Sequence, residues 1–553
     1  MSEPERKAIL LDPRSAQYLR ARQKPSSYQC AHDGSNAFRF RPVAAPGDGR
    51  TPALAYSFLG SEAELRPVCM PAVARSPLAP LSSKSVKRPP VAVNRLAAFA
   101  LVISAICLSP AKALAAAPLP SPSPQQLAWQ RHEFIAFAHF GMNTFTDREW
   151  GEGNEDPKLF NPTDFDAREW AAVLKDSGVK LLILTAKHHD GFCLWPSQFT
   201  EHCVKNSPWR GGKGDVVREV VDALREKQIR VGLYLSPWDR HQPTYGDSPK
   251  YNEHFRNQLR ELLTQYGPID EVWFDGACGE GPNGKKQEYD WPSYYALIRQ
   301  LQPNALIAIS GPDIRWGGNE SGVAREDESS VVKRGDQLAW HPAECDVSIR
   351  PGWFYHQSED SKVKSLAALA DIYFKSVGRN SVLLLNIPPD RRGRIAEADV
   401  ARLKELRAFL DQLYATDYIR SATITVSSQS DATHGENQLH DGDLATYWMP
   451  AAGQTTAQVE FDLGQPRTFN VARIQENIAL GERVQAYHVE VLADSKWRTV
   501  TAGRVIGQKQ LRRFPAVTAR KLRLVIDQAC APPAISEFGL HFNSLAPAGY
   551  GAD

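Results

Sequence analysis

Six runs of consecutive apolar residues recur through the middle of the chain: "FIAFAHFG" (134–141), "VKLLILTAKHHDGF" (179–192), "IRVGLYLSPWDR" (229–240), "DEVWFDGA" (270–277), "NALIAISGPD" (304–313) and "SVLLLNIPPD" (381–390). Their cores do not alternate apolar with polar positions, so each reads as a strand buried on both faces. Between the early runs lie amphipathic helices at 164–179, 215–229 and 253–267, the first with Asp near its start and Gly178 past its end. Strand–helix alternation of this kind makes a parallel sheet, and repeated this often it closes most simply as a (β/α)8 barrel. The segment 344–357 supplies a seventh strand, the eighth is not legible, and the expectation therefore includes an irregular barrel. A doubly wound open sheet is the alternative, but no G-x-G-x-x-G follows the first strand.

In such a barrel the working groups project from the C-terminal ends of the strands. Those ends carry His139, the pair His188 and His189, Tyr234 and Asp275 in succession. A single histidine or tyrosine at a strand end is more often a satisfied structural group than a ligand contact. Four consecutive strands with the same habit point to a pocket with Asp275 at its floor.

That pocket would combine one carboxylate, several imidazoles and a phenol with the indoles Trp150, Trp195, Trp238, Trp273 and Trp316. Imidazole and phenol hydrogen-bond sugar hydroxyls, and indole faces stack on the C–H faces of pyranose rings. Trp170, in a helix, reads as core, whereas the indoles in "DREWGEG", "LSPWDR" and "DIRWGGNE" sit in loop-like contexts. Sugar hydrolysis by retention needs a second carboxyl group about 5–5.5 Å from the nucleophile. The stretch "GPDIRWGGNESG" offers Asp313 and Glu320, of which Glu320, beyond the Gly317-Gly318 pair, is better placed to reach over a bound sugar.

The motifs "FAHFGMNTFTDREWG", "TAKHHDGFCLW", "LYLSPWDR", "EVWFDGA" and "DIRWGGNE" resemble those of the α-L-fucosidases of glycoside hydrolase family 29, particularly the subfamily that prefers branched α-1,3/1,4-linked fucose. The likeness runs over residues 125–418. It implies an exo-acting, retaining double displacement on a fucosylated oligosaccharide or glycoconjugate, with Asp275 as nucleophile and Glu320 as general acid/base, and no cofactor or metal. Asp313 stands as the alternative acid/base. By the same resemblance His139, Glu149, Trp150, His188, His189, Tyr234 and Trp316 contact the substrate.

Two other readings compete. A metal-dependent hydrolase built on "KHHDGF" is disfavoured because adjacent histidines on one strand point to opposite faces, so His188 and His189 cannot easily share one ion. A fucose-binding protein without turnover is disfavoured by the presence of both Asp275 and Glu320.

After a helix at 397–414 the texture changes to short alternating strands, "SATITVSS", "AQVEFDLG", "FNVARIQE", "AYHVEVLA", "KLRLVID" and "SEFGLHF", which predict a β-sandwich over 419–545. The sequence "HDGDLATYWMP" followed by "VEFDLGQPRTFNVARIQE" resembles the discoidin-like, or galactose-binding-like, sandwiches appended to glycosidases. A packing role is expected for it, with Asp441 and Asp443 as turn residues rather than calcium ligands.

Residues 1–92 are rich in Pro, Ser, Ala and Arg without periodicity and read as a disordered extension, or as sequence ahead of a true translation start near Val91 or Val93. The stretch 93–115, with a basic flank, a short apolar core at 96–108 and the small-residue site Ala113-Leu114-Ala115, is expected to be a secretory signal leading to the periplasm or exterior. Five cysteines follow it: Cys193, Cys203, Cys278, Cys345 and Cys530. Cys193 and Cys203 could pair across a loop, but the set is too sparse for a disulfide framework. A net charge of +2 over 553 residues, with no basic run in the folded part, excludes nucleic acid and, once the signal is cleaved, a membrane surface as partners.

Overall fold

The structure is a computed structural model and describes residues 118–545; the expected extension and signal segment lie outside the described residues. Eight parallel strands form the first domain: β1 (Phe134–Ala138), β2 (Leu181–Lys187), β3 (Arg230–Leu235), β4 (Glu271–Phe274), β5 (Leu306–Ile309), β6 (Arg315–Trp316), β9 (Ala343–Ser348) and β10 (Val382–Asn386), with an antiparallel hairpin, β7 (Val331–Arg334) and β8 (Gln337–Trp340), between β6 and β9. The sheet runs β5-β4-β3-β2-β1-β10-β9-β6. Its two edges meet through the short bridge between Ala308 and Ile314, so the barrel is nearly closed.

The absence of alternation has the cause the sequence suggests. All seven residues of β2 are buried. On β1, Phe134, Ala136 and Ala138 pack outward against the helices, while Ile135 and Phe137 pack into the barrel with Ile183, Tyr234, Trp273 and Leu384. The expected helices form at Ala167–Asp176, Val216–Glu226, Ser248–Gln265 and Glu397–Ala415. Asp166 caps the first by accepting the Arg168 and Glu169 N–H groups, and Asp215 caps the second through Arg218 N–H. Trp170 is core, its indole N–H on the Gly393 carbonyl at 2.9 Å.

The eighth strand, which the sequence did not disclose, is β6. It is two residues long and follows β5 after only five residues, leaving no room for a crossover helix or an apolar run. Only the first part of the expected seventh strand is strand; it ends at Ser348, and the rest of 344–357 is irregular.

The second domain is a six-stranded antiparallel sheet around its own core: β11 (Thr423–Val426), β12 (Ala457–Glu476), β13 (Val484–Ala493), β14 (Lys496–Gly503), β15 (Gln510–Ala529) and β16 (Ile535–His541). Two expected strands, "AQVEFDLG" and "FNVARIQE", are one continuous strand, β12, whose register against β15 shifts between Asp462 and Arg467. Asp441 and Asp443 are turn residues: Asp441 accepts the Asp443 N–H and the Thr446 hydroxyl, and Asp443 accepts the Ala445 N–H. Lys509, just before β15, pairs with Glu133, just before β1, at 2.6 Å, and Arg513 of β15 pairs with Asp371 at 2.7 Å. The first of these contacts meets the barrel at the N-terminal end of β1, the end away from the strand termini that carry His139 and Asp275.

Candidate active site

The C-terminal strand ends surround one cavity of about 730 Å3. His139, Trp150, His188, His189, Trp238, Trp273, Asp275, Trp316 and Glu320 all lie on its wall.

Asp275 follows directly on β4. One carboxylate oxygen, Oδ1, accepts the Ala277 N–H at 2.7 Å, as a turn-closing aspartate does. The other, Oδ2, accepts the Tyr234 hydroxyl at 2.9 Å and lies 3.7 Å from His189 Nε2. The side chain remains 24% exposed on the cavity. Asp275 is therefore a turn residue and a solvent-facing nucleophile candidate at once. Tyr234 is wholly buried and stands behind Asp275 rather than on the wall, its ring stacked on Trp273 at 5.2 Å.

The histidines owe their placement to how β2 stops. His188 and His189 lie past its end, in a turn closed by Gly191 N–H on the His188 carbonyl. Gly191 has φ +79°, and a Cβ there would come within 2.5 Å of the Asp239 carboxylate, so the turn requires glycine. Beneath it Lys187, fully buried, donates to Asp239 at 2.8 Å and to Gln258 at 2.9 Å. Burial alone would raise the Asp239 pKa, but Lys187, together with His254 and the Gln242 N–H, outweighs it and holds the carboxyl at about 2. Removing one partner of so buried a pair costs about 3–5 kcal/mol, which makes this the foundation of the histidine turn. Because the two histidines have left the strand, the expectation that they point to opposite faces fails: their ring centroids are 4.0 Å apart and both line the cavity. Among the described residues no group of three or more His, Cys, Asp or Glu side chains has metal-holding geometry.

Hydrogen bonds assign the imidazole tautomers. The Ser236 hydroxyl donates to the Trp238 carbonyl, so it accepts from His189 Nδ1–H at 2.7 Å. Asn386 donates through its amide to Ser348 and to the Trp353 carbonyl, so its oxygen accepts from His139 Nδ1–H at 2.9 Å. Both rings keep an Nε2 lone pair as acceptor. His188 accepts from the Asn143 amide at 3.3 Å and so carries its proton on Nε2 as a donor. Burial lowers all three pKa values, to about 4 for His139, which keeps the rings neutral near pH 7. One donor and two acceptors suit a ligand whose hydroxyls both give and take hydrogen bonds.

The indoles spend their N–H groups on the protein and leave ring surface to the cavity. Trp238 donates to the Glu280 carbonyl, Trp273 to Glu344, Trp316 to Asp346 and Trp353 to Glu320. Trp150, 48% exposed, stands edge-on to His189 and Trp238 at the mouth. Trp195 is not on the wall; it is fully buried with its N–H on Glu261 at 2.8 Å. Glu149, its side chain 39% exposed, is engaged beside the cavity, its carboxylate holding the Trp353 and Phe354 N–H groups at 2.8 and 3.1 Å and His356 at 2.7 Å.

The two candidate proton donors separate clearly. Asp313 is off the cavity, held by Arg299 at 2.5 Å and accepting the Ile307 N–H at 2.7 Å. Glu320 is on the cavity, touched by the Trp353 indole N–H at 3.4 Å. Burial raises its pKa, the Trp353 bond opposes this, and the negative charges of Asp275 and Glu149 add to the rise.

Sequence reasoning missed Asp346 and Trp353 on the wall. Asp346 lies within the expected seventh strand, two residues from Glu344 and so on the same face. Trp353, in "RPGWFYH", had the Gly- and Pro-rich context used to select the other indoles. Cys193 and Cys203 face each other across a β-bridge but remain free thiols, their pKa values raised by burial.

Residues 124–413 match the alpha-L-fucosidase family and residues 423–538 match the F5/8 type C domain. Alpha-L-fucosidase 1 of Arabidopsis thaliana is 44% identical over 453 residues, covering 77% of this chain and 88% of its own. The solved SpGH29 structure is 41% identical with a TM-score of 0.73, covering 77% of this chain and 98% of its own. A Ruminococcus gnavus GH29 fucosidase, solved in complex with fucose, is 34% identical with a TM-score of 0.73, covering 77% of this chain and 96% of its own.

Proposed function

The chain belongs to the α-L-fucosidase family of glycoside hydrolases, and from that premise we propose that it is a retaining exo-α-L-fucosidase acting on terminal α-1,3/1,4-linked fucose of branched glycans. The observation that carries the mechanism is the contrast between two carboxyl groups on one cavity. Asp275 accepts hydrogen bonds from the Tyr234 hydroxyl and the Ala277 N–H, whereas burial and neighbouring negative charge raise the pKa of Glu320 and so favour its protonated form.

Asp275 attacks the anomeric carbon as the bond to the leaving sugar breaks, and the departing oxygen takes the Glu320 proton. The product of this step is a fucosyl ester on Asp275. Glu320, now a carboxylate, takes a proton from the incoming water, whose oxygen bonds to the anomeric carbon as Asp275 leaves. The Tyr234 hydroxyl orients Asp275 and stabilises its charge each time it is released. His139 and His189 accept from, and His188 donates to, ring hydroxyls, and the two accepting contacts tighten as positive charge on the ring makes those hydroxyls better donors. Indole edges supply the apolar patch that a deoxysugar methyl needs.

The branched-glycan preference rests on room and on resemblance. A cavity of about 730 Å3 lies within the range that encloses a drug-sized ligand, more than one monosaccharide requires. Incubation with 1,2-, 1,3-, 1,4- and 1,6-linked fucosides, followed by proton NMR of the first sugar released, tests both parts. Cleavage of 1,3- and 1,4-linkages with initial release of the α-anomer is expected. Exclusive cleavage of linear 1,2-linkages contradicts the preference, and initial release of the β-anomer contradicts retention.

Export to the periplasm or exterior remains part of the reading, on the strength of the signal-like stretch at 93–115. Mass spectrometry of the natural protein should find a mature N-terminus just after Ala115, and one upstream of Ala111 would count against it.

A further inference from the structure

Asp346 is a further carboxyl group on the cavity wall, beside Asp275, Glu280 and Glu320, and neither step above uses it. It lies on β9, and the segment carrying Glu320 is fastened to that strand at three points. Gly317 N–H donates to the Glu344 carbonyl at 2.7 Å, Gly322 N–H donates to the Asp346 carbonyl at 3.1 Å, and the Trp316 indole N–H donates to Asp346 Oδ1 at 2.7 Å. Between the two backbone anchors the loop is braced from within, Asn319 accepting the Ser321 and Val323 N–H groups and donating to the Val323 carbonyl. At its far end Gly322 has φ +71°, and a Cβ there would meet Val347 of β9 at 2.7 Å, so the loop lies flat on the strand. β6 itself is only two residues long and pairs with β9 through Arg315 and Trp316 alone. So short a strand has little hydrogen bonding of its own to fix the loop that follows it.

We propose that Asp346 is a positioning residue for the proton donor: its side chain fixes the Trp316 indole and its backbone carbonyl fixes Gly322, so that Glu320, between them, meets the cavity in one geometry. The inference rests on the acid/base role of Glu320 proposed above. Burial, opposed by the Trp316 bond and reinforced by Glu344 and Glu320, raises the Asp346 pKa well above the ordinary range. A neutral Asp346 can still accept the indole N–H.

The test compares full-length variants on a fucosylated oligosaccharide and on a nitrophenyl fucoside. Asp346→Ala should lower kcat on the oligosaccharide by about 10²-fold, the scale of a misplaced catalytic group, with KM little changed. On the nitrophenyl fucoside it should give a burst of nitrophenol and then a slow phase that azide accelerates, since the first step needs little proton donation and the second needs Glu320 as base. Asp346→Asn retains an acceptor for Trp316 and should recover most of the loss. Trp316→Phe deletes the N–H donor while keeping a ring; it should show the same burst and azide response, and it carries the test if Asp346→Ala does not fold. A raised KM with both steps slowed alike, or Asn no better than Ala, overturns the proposal in favour of direct contact with the sugar. Glu320→Gln, measured alongside, separates the two levels. If it lacks the burst and azide response, the acid/base role itself falls; if it has them and both Asp346→Ala and Trp316→Phe lack them, only the positioning role falls.

Discussion

Asp275→Gly is expected to lower turnover of an activated aryl α-L-fucoside by about four orders of magnitude or more, because it removes the carboxylate proposed to form the fucosyl ester. Azide should partly restore turnover. Entering the space the carboxylate vacates, it attacks from the nucleophile's own face and yields β-fucosyl azide. Asp275→Asn should be as inactive but resist rescue, since the amide still fills that space. The two variants also separate catalysis from folding: Asn preserves an acceptor for the buried Tyr234 hydroxyl, whereas Gly leaves that hydroxyl without its Asp275 partner. Near-normal turnover in both would place the nucleophile elsewhere.

Glu320→Gln should divide substrates by leaving group. Hydrolysis of natural oligosaccharides, whose sugar leaving groups require a proton, should fall by about 10²- to 10⁴-fold. The first step on a nitrophenyl fucoside should be largely spared, giving a burst before a slow steady state in which the fucosyl ester waits for a base. Azide, which needs no base, should accelerate that phase and give α-fucosyl azide, the opposite anomer from the Asp275→Gly product. The anomer formed thus tells the two carboxyl groups apart. The pH profile offers a second check. A general acid works only while protonated, so kcat/KM of the unmodified enzyme should decline as pH rises through the raised Glu320 pKa, and this alkaline limb should be missing from Glu320→Gln. Asp313→Asn is the control. Its carboxylate is engaged by Arg299 and the Ile307 N–H away from the cavity, so neither the burst nor the azide response should appear. Should Asp313→Asn show both and Glu320→Gln neither, the acid/base role passes to Asp313.

The burial of β2 on both faces follows from its lack of alternation, and the Asp caps and amphipathic faces located the helices. These are local properties, decided by residues a few positions apart, and together with barrel geometry they led to His139, His188, His189 and Asp275 as strand-end groups. Loop context added Trp150 and Trp316, the need for a second carboxyl group added Glu320, and motif likeness added Glu149. What local pattern could not reach was anything decided by partners distant in the chain. β6 is a strand because Arg315 and Trp316 pair with Ala343 and Glu344, and two residues carry no periodicity to read. The indole of Trp195 is core because Glu261, on a later helix, accepts its N–H. Tyr234 stands behind the wall because Asp275 takes its hydroxyl, and Glu149 is turned to the Trp353 segment, whose N–H groups it accepts. Asp313 and Glu320, seven residues apart, differ in role because Arg299 neutralises one and the cavity desolvates the other. Sequence determined seven of the eight barrel strands and which chemical groups their ends present. Only the tertiary structure decided which of those groups keep a free face, since that depends on long-range hydrogen bonds and burial.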